Sequence, residues 1–235
     1  VESSKVKILV SGILAASVIF IIATILPKFI DLLKPSFVTH LSMLILSLAA
    51  IVILGKSDFK AYGFQKPEKI KWLLPIIIAL GLGAIATLVT VLLGISGIQA
   101  VKNLSLPEII LYVWIIASIC EEVLMRGFLQ SYLAPFKDTY INLWVLKVNF
   151  PTFIAALFFS LMHLIIIKSG ADLLTVVVIL IFTFCVGILA GYYRSKSGSI
   201  VTAIILHMLA NVGGVVGGII YGILTFIITG HPPKM

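Results

Sequence analysis

Charge is what this sequence has least of. Of its 235 residues only 11% are Asp, Glu, Lys or Arg and 61% are hydrophobic, where a soluble domain carries roughly 25% and 45 to 50%. With a mean hydropathy of +1.22, no segment is polar enough to form a separate water-soluble domain. Cysteine is nearly as scarce. Cys120 and Cys185 both lie inside apolar runs and show no C-x-x-C spacing, which excludes a disulfide framework. There is also no His-Glu-x-x-His pair, the helical zinc-protease signature. Acidic residues are few, so the formal net charge is +8. The lysines sit in short loops between apolar runs, where they set topology and meet anionic headgroups. The expected partners are therefore membrane lipids, with no nucleic acid.

What the chain does have is a series of apolar runs of the roughly 20 residues that a helical span needs. The first covers about 8–26 and ends at Pro27, before a turn holding Lys28, Asp31, Lys34 and Pro35. The chain begins at Val1, which leaves room for a short leader, and the first run is too long for the apolar region of a cleaved signal. It is expected to be a retained helix. The second span covers about 37–54. A stretch over 55–71 follows, with lysines at 56, 60, 66, 69 and 71 among Phe59, Tyr62 and Phe64. Such a mixture suits a segment lying on the membrane surface.

A third span covers about 73–93, with Gly81, Gly83 and Gly94 expected to admit a close neighbour. Polar residues over 99–105 lead to Pro107, which opens a fourth span reaching about Leu133. The fifth starts near Pro151, the sixth covers about 173–193, and the seventh starts near Ser199. Gly213, Gly214, Gly217 and Gly218 either break the seventh helix, leaving 219–228 for an eighth, or pack tightly inside it. The expected fold is an all-α polytopic membrane bundle of seven or eight transmembrane helices. It forms a single integral membrane domain over 1–235, whose functional core is 107–213. A cytoplasmic amino terminus puts eleven Lys and Arg inside, including all five of the 55–71 stretch, against Lys28, Lys34, Lys102 and Lys168 outside. The positive-inside rule selects that orientation.

Charged side chains at membrane depth cost about 2.5 to 3.5 kcal/mol each, so they persist where they face a cavity or a partner. Glu121, Glu122 and Arg126 interrupt the fourth span. Glu122 and Arg126 are four residues apart and share a helix face, which allows an ion pair. Glu121 is turned about 100° away and is available for other work. The fifth span holds His163, with Phe159 one turn before it, and the seventh holds His207 and Asn211, again four apart. A carboxylate beside an imidazole can hold a water and take its proton, and His and Asn donors can meet charge developing on a carbonyl oxygen. Those are the requirements of acyl hydrolysis. A structural charge cluster is the simpler alternative for Glu121, Glu122 and Arg126.

Glu121-Glu122-Val-Leu-Met-Arg126, Phe159-Ser-Leu-Met-His163 and His207-Met-Leu-Ala-Asn211 resemble, in order, the three motifs of the CPBP intramembrane endopeptidases, which include the type II CAAX prenyl proteases. The resemblance covers about the C-terminal half, from Pro107 onwards. It implies a bundle of about eight spans and a glutamate-dependent protease that activates water without a covalent intermediate or a cofactor. By position it implies that Glu121 and His163 activate the water, that His207 and Asn211 form the oxyanion site, and that Glu122, Arg126 and Phe159 shape the site. The substrate is then a membrane peptide or the C-terminal tail of a prenylated protein.

Three other readings use the same residues. Glu121, His163 and His207 supply the ligand types of a catalytic zinc, though from three separate helices. A cysteine protease on Cys120 and His163 is opposed by the negative charge of Glu121, which disfavours the thiolate. A transporter or non-catalytic membrane scaffold would use the charges as a relay, but no internal repeat or matched pair of broken helices marks one.

Overall fold

The computed structural model describes residues 2–30, 33–95, 104–143 and 146–231; Asp31, Lys102, Lys234 and most of the polar 99–105 separator lie outside them. In chain order the elements are α1 (Glu2–Ile25), α2 (Pro35–Leu54), α3 (Leu73–Leu92), a long helical segment α4 (residues 106–132), β1 (Tyr140–Leu143), β2 (Leu146–Asn149), α5 (Phe150–Met162), α6 (Leu173–Ser197) and α7 (Ile200–Thr229). Local chemistry sets the ends. Pro35 and Pro151 stand in first turns, where a missing N–H leaves no bond unmade. Asn149, Asp172 and Ser199 accept backbone N–H bonds as N-caps of α5, α6 and α7.

The chain is an integral membrane protein built as an all-α bundle. Among the described residues six helices are long and apolar enough to cross a membrane: residues 3–28, α2, α3, α5 with its extension to Ser169, α6 and α7. Their outward faces are apolar, with Leu73, Leu173 and Ile228 at 75%, 79% and 80% exposure, as a lipid solvent demands. The expected fourth span, α4, alternates short α-helical turns with wider π-helical ones, Ile109–Ala117 and Val123–Leu129. A capping box of Ser105 and Glu108 starts it. From Leu124 to Leu129 it is fully enclosed, with Met43, Ala155, Phe159 and Leu206 in the surrounding core.

Gly213 and Gly217 of the seventh span pack rather than break it, while Gly218 faces open space within the continuous helix. A Cβ on Gly213 would stand 2.3 Å from the Leu80 carbonyl oxygen, and one on Gly217 2.5 Å from that of Ala84. Contact this close between α3 and α7 requires glycine. Residues 219–228 therefore continue α7 and form no separate eighth helix. On α3, Gly83 meets the Ala210 carbonyl as expected, whereas Gly81 faces open space and Gly94 lies beyond the helix at φ +64°.

Two connections position the bundle. The lysine-rich stretch is strapped to the turn between α6 and α7, with Ile200 N–H donating to the Gly63 carbonyl, Glu68 N–H to that of Ser197, and Gln65 Nε2 to that of Gly198. The loop before α5 contains an antiparallel hairpin that the sequence reading missed, pairing Tyr140 with Asn149 and Leu143 with Leu146. Its alternating Ile141, Asn142 and Leu143 were the available signal. The buried Val148 of this hairpin packs with Ala156 and Ile188.

Candidate active site

The two adjacent glutamates sit in the short regular turn Ser118–Glu122 between the π-helical stretches of α4, and they lead into different surroundings. Glu122 and Arg126 are both fully buried, with Arg126 Nη1 donating to Glu122 Oε1 at 2.8 Å. The same oxygen lies 2.9 Å from His207 Nδ1 on α7. Because the carboxylate accepts, Nδ1 carries the proton there, and Nε2 is the nitrogen left to face Glu121. Arg126 Nη2 donates to the Gly187 carbonyl on α6 at 2.9 Å. One turn further along both helices, Gln130 Nε2 donates to the Gly191 carbonyl at 3.0 Å. Gly187 permits this approach, since a Cβ there would stand 2.9 Å from Ala156.

Phe159 is the hub of the second layer. Its fully buried ring lies 4.9 Å from the Arg126 guanidinium carbon, and the rings of His163 and His207 meet it edge-on at 4.9 and 5.4 Å. Cation–π and edge-to-face contacts of this kind hold three polar groups in fixed orientations. His163 stands where α5 tightens into the 3-10 turn His163–Ser169. Its Nδ1 donates to the Phe159 carbonyl at 2.8 Å. The carbonyl can only accept, so in the neutral ring Nε2 is an unprotonated acceptor.

Glu121 faces a cavity of about 360 Å³ that is also lined by His40, His163, Met43, Met162, Thr24 and Ser36. Glu121 Oε2 lies 3.8 Å from His207 Nε2. Glu121 and His163 thus line one cavity, and His207 approaches Glu121 from α7 without lining it. Asn211 is one turn from His207 but points its amide at α4, with Nδ2 3.2 Å from Ser118 Oγ and 3.4 Å from the Val113 carbonyl. It does not line the cavity. Among the described residues, no group of three His, Cys, Asp or Glu side chains is spaced to hold a metal ion.

Residues 103–213 match the model of the Rce1-like family, described as type II CAAX prenyl endopeptidase Rce1-like. Over that segment the chain is similar to this family. It contains every one of the motif residues Glu121, Glu122, Arg126, Phe159, His163, His207 and Asn211. No curated protein and no solved structure matches the chain.

Sequence reading overlooked two polar residues at this centre. Gln130 continues the Arg126 face by one turn. His40 lies within the apolar run of α2, and its Nε2 is 3.4 Å from Glu121 Oε1. An ionisable residue at membrane depth was a sufficient signal for the second of these.

Proposed function

We propose that this Rce1-like chain is an intramembrane endopeptidase in which Glu121 and His163 activate a water and His207 and Asn211 stabilise the oxyanion. The observation that carries the reading is a carboxylate, Glu121, and an imidazole acceptor, His163, lining one cavity of about 360 Å³. A water between them gives its proton to Glu121 as its oxygen bonds to the scissile carbonyl carbon, and the carbonyl electron pair moves onto oxygen. His207, with Nδ1 held by Glu122, presents Nε2 towards that oxygen. In its doubly protonated form it donates there, and the charge is balanced by Glu122. Asn211 gives up its long contact with the Val113 carbonyl to become the second donor. Glu121 returns the proton to the amide nitrogen as the C–N bond breaks, which releases a carboxylate and an amine. The step uses no bound metal.

The substrate class is a peptide bond in a membrane-associated chain, including a prenylated C-terminal tail as the family description suggests. A zinc-dependent protease and a non-proteolytic scaffold remain the competing outcomes. The same proposal puts the amino terminus in the cytoplasm on the excess of basic residues there. The cavity is lined by Thr24, Ser36 and Ser169, at the far end of α1, the start of α2 and the end of the 3-10 turn, so it then opens on the opposite face.

Incubating purified protein with a panel of farnesylated and unmodified peptides, with mass spectrometry locating the cut, tests the reading. Cleavage by the wild type and none by Glu121→Gln is the expected result. Equal cleavage by both overturns the assignment of Glu121, and cleavage of neither favours the scaffold.

A further inference from the structure

We propose that His40, on α2 and outside the segment matched by the family, is the positioning residue for Glu121. This rests on the proposed role of Glu121 as the base. The geometry restricts the protons. His40 Nδ1 lies 2.6 Å from the Ser36 carbonyl, which only accepts, so Nδ1 carries a hydrogen. The contact between His40 Nε2 and Glu121 Oε1 at 3.4 Å is then attractive only when a further proton lies between them. With a proton on Nε2, His40 donates to Glu121 and holds Oε1 on the α2 side of the site.

The consequence is a division of labour between the two carboxylate oxygens. Oε1 is tied to α2, while Oε2 is left on the side of His207. A base whose carboxylate is held by one oxygen needs less reorganisation when water binds at the other. His40 is anchored independently of the site, because Ser36 belongs to the first turn of the same helix. Besides the adjacent Cys120, the other titratable groups facing Glu121 are His163 from the turn after α5, His207 from α7, and Glu122 with Arg126 on α4. Each of these is already held elsewhere, His163 by the Phe159 carbonyl and His207 by Glu122. Among the described residues, only His40 makes a contact under 3.5 Å with a Glu121 side-chain oxygen.

The test compares His40→Ala, His40→Gln and His40→Met with wild type and Glu121→Gln on the best peptide of the panel, each checked for folding by thermal unfolding in detergent. Loss of a hydrogen bond to a charged group changes a rate by about tenfold to a hundredfold. His40→Ala is expected to lose that much in kcat with little change in KM, and to displace the acid limb of the pH–rate profile. His40→Gln, which keeps an N–H donor, recovers most of the loss, and His40→Met, similar in size without a donor, does not. If His40→Ala fails to fold, the Gln and Met variants carry the comparison. A dead Glu121→Gln beside a His40→Ala with wild-type kcat and an unchanged pH profile overturns the inference while leaving the base intact. If the purified protein cleaves nothing, infrared titration of the Glu121 carboxylate, assigned by its loss in Glu121→Gln, decides the matter. His40→Ala then moves the midpoint if the inference is right and leaves it in place if it is wrong.

Discussion

His207 Nδ1 and Arg126 Nη1 both converge on Glu122 Oε1, at 2.9 and 2.8 Å. One fully buried oxygen thus ties α7 to a cation on α4, while the neighbouring Glu121 faces the cavity. In the proposed mechanism Glu122 orients and Glu121 reacts.

That asymmetry predicts different failures for the two glutamates. Glu121→Gln keeps the shape and removes the base, so it should fold, bind peptide and show almost no turnover. Glu122→Gln should unfold more easily, because breaking a buried pair costs about 3 to 5 kcal/mol, and it should also loosen His207. Thermal stability in detergent measured beside peptide turnover checks both. A normally active Glu121→Gln with a well-folded, inactive Glu122→Gln would exchange the roles.

Removing one oxyanion donor lowers turnover on the order of 100- to 1000-fold. Asn211→Ala should show that loss in kcat with a modest change in KM. Near-normal turnover would assign Asn211 to its present contact with Ser118 Oγ alone.

Proteolysis should survive chelation. Metal analysis of chelator-treated protein assayed in parallel checks this, and stoichiometric zinc whose removal abolishes cleavage and whose return restores it would promote the zinc mechanism.

Lys60 and Ser169 should label from opposite sides of the membrane. In a Cys185→Ser background, Lys60→Cys is expected to react with an impermeant maleimide only from the cytoplasmic side, and Ser169→Cys only from the other. Reversed labelling would invert the orientation and bring the cavity to the cytoplasmic face.

Gly213→Ala should destabilise the bundle by about 1 to 3 kcal/mol, the usual cost of overpacking, because the added methyl collides with the Leu80 carbonyl oxygen. Gly222→Ala, on the same helix with open space around it, is the matched control and should unfold with the wild type.

The sequence by itself determined the membrane-spanning character, the positions of most helices and the identity of the motif residues. Each of these is a local property: an apolar run needs only its own composition, and a pair four residues apart shares a face on any helix. It left open whether the glycines of α7 broke the helix, and only the approach of α3 decided that, because a glycine serves either purpose until a neighbour occupies the space beside it. It did not give the π-helical turns of α4, the hairpin at 140–149 or the strap onto the turn between α6 and α7, since those depend on what packs against them. Above all, beyond the grouping implied by the motif resemblance, it did not give the direct contacts between helices. Glu122 was expected to hold Arg126, but its bond to His207 spans 85 positions of chain, and His40 reaches Glu121 across 81. Hydrophobic periodicity fixes which face of a helix is buried, and the packing of side chains between helices fixes which polar groups on those faces meet.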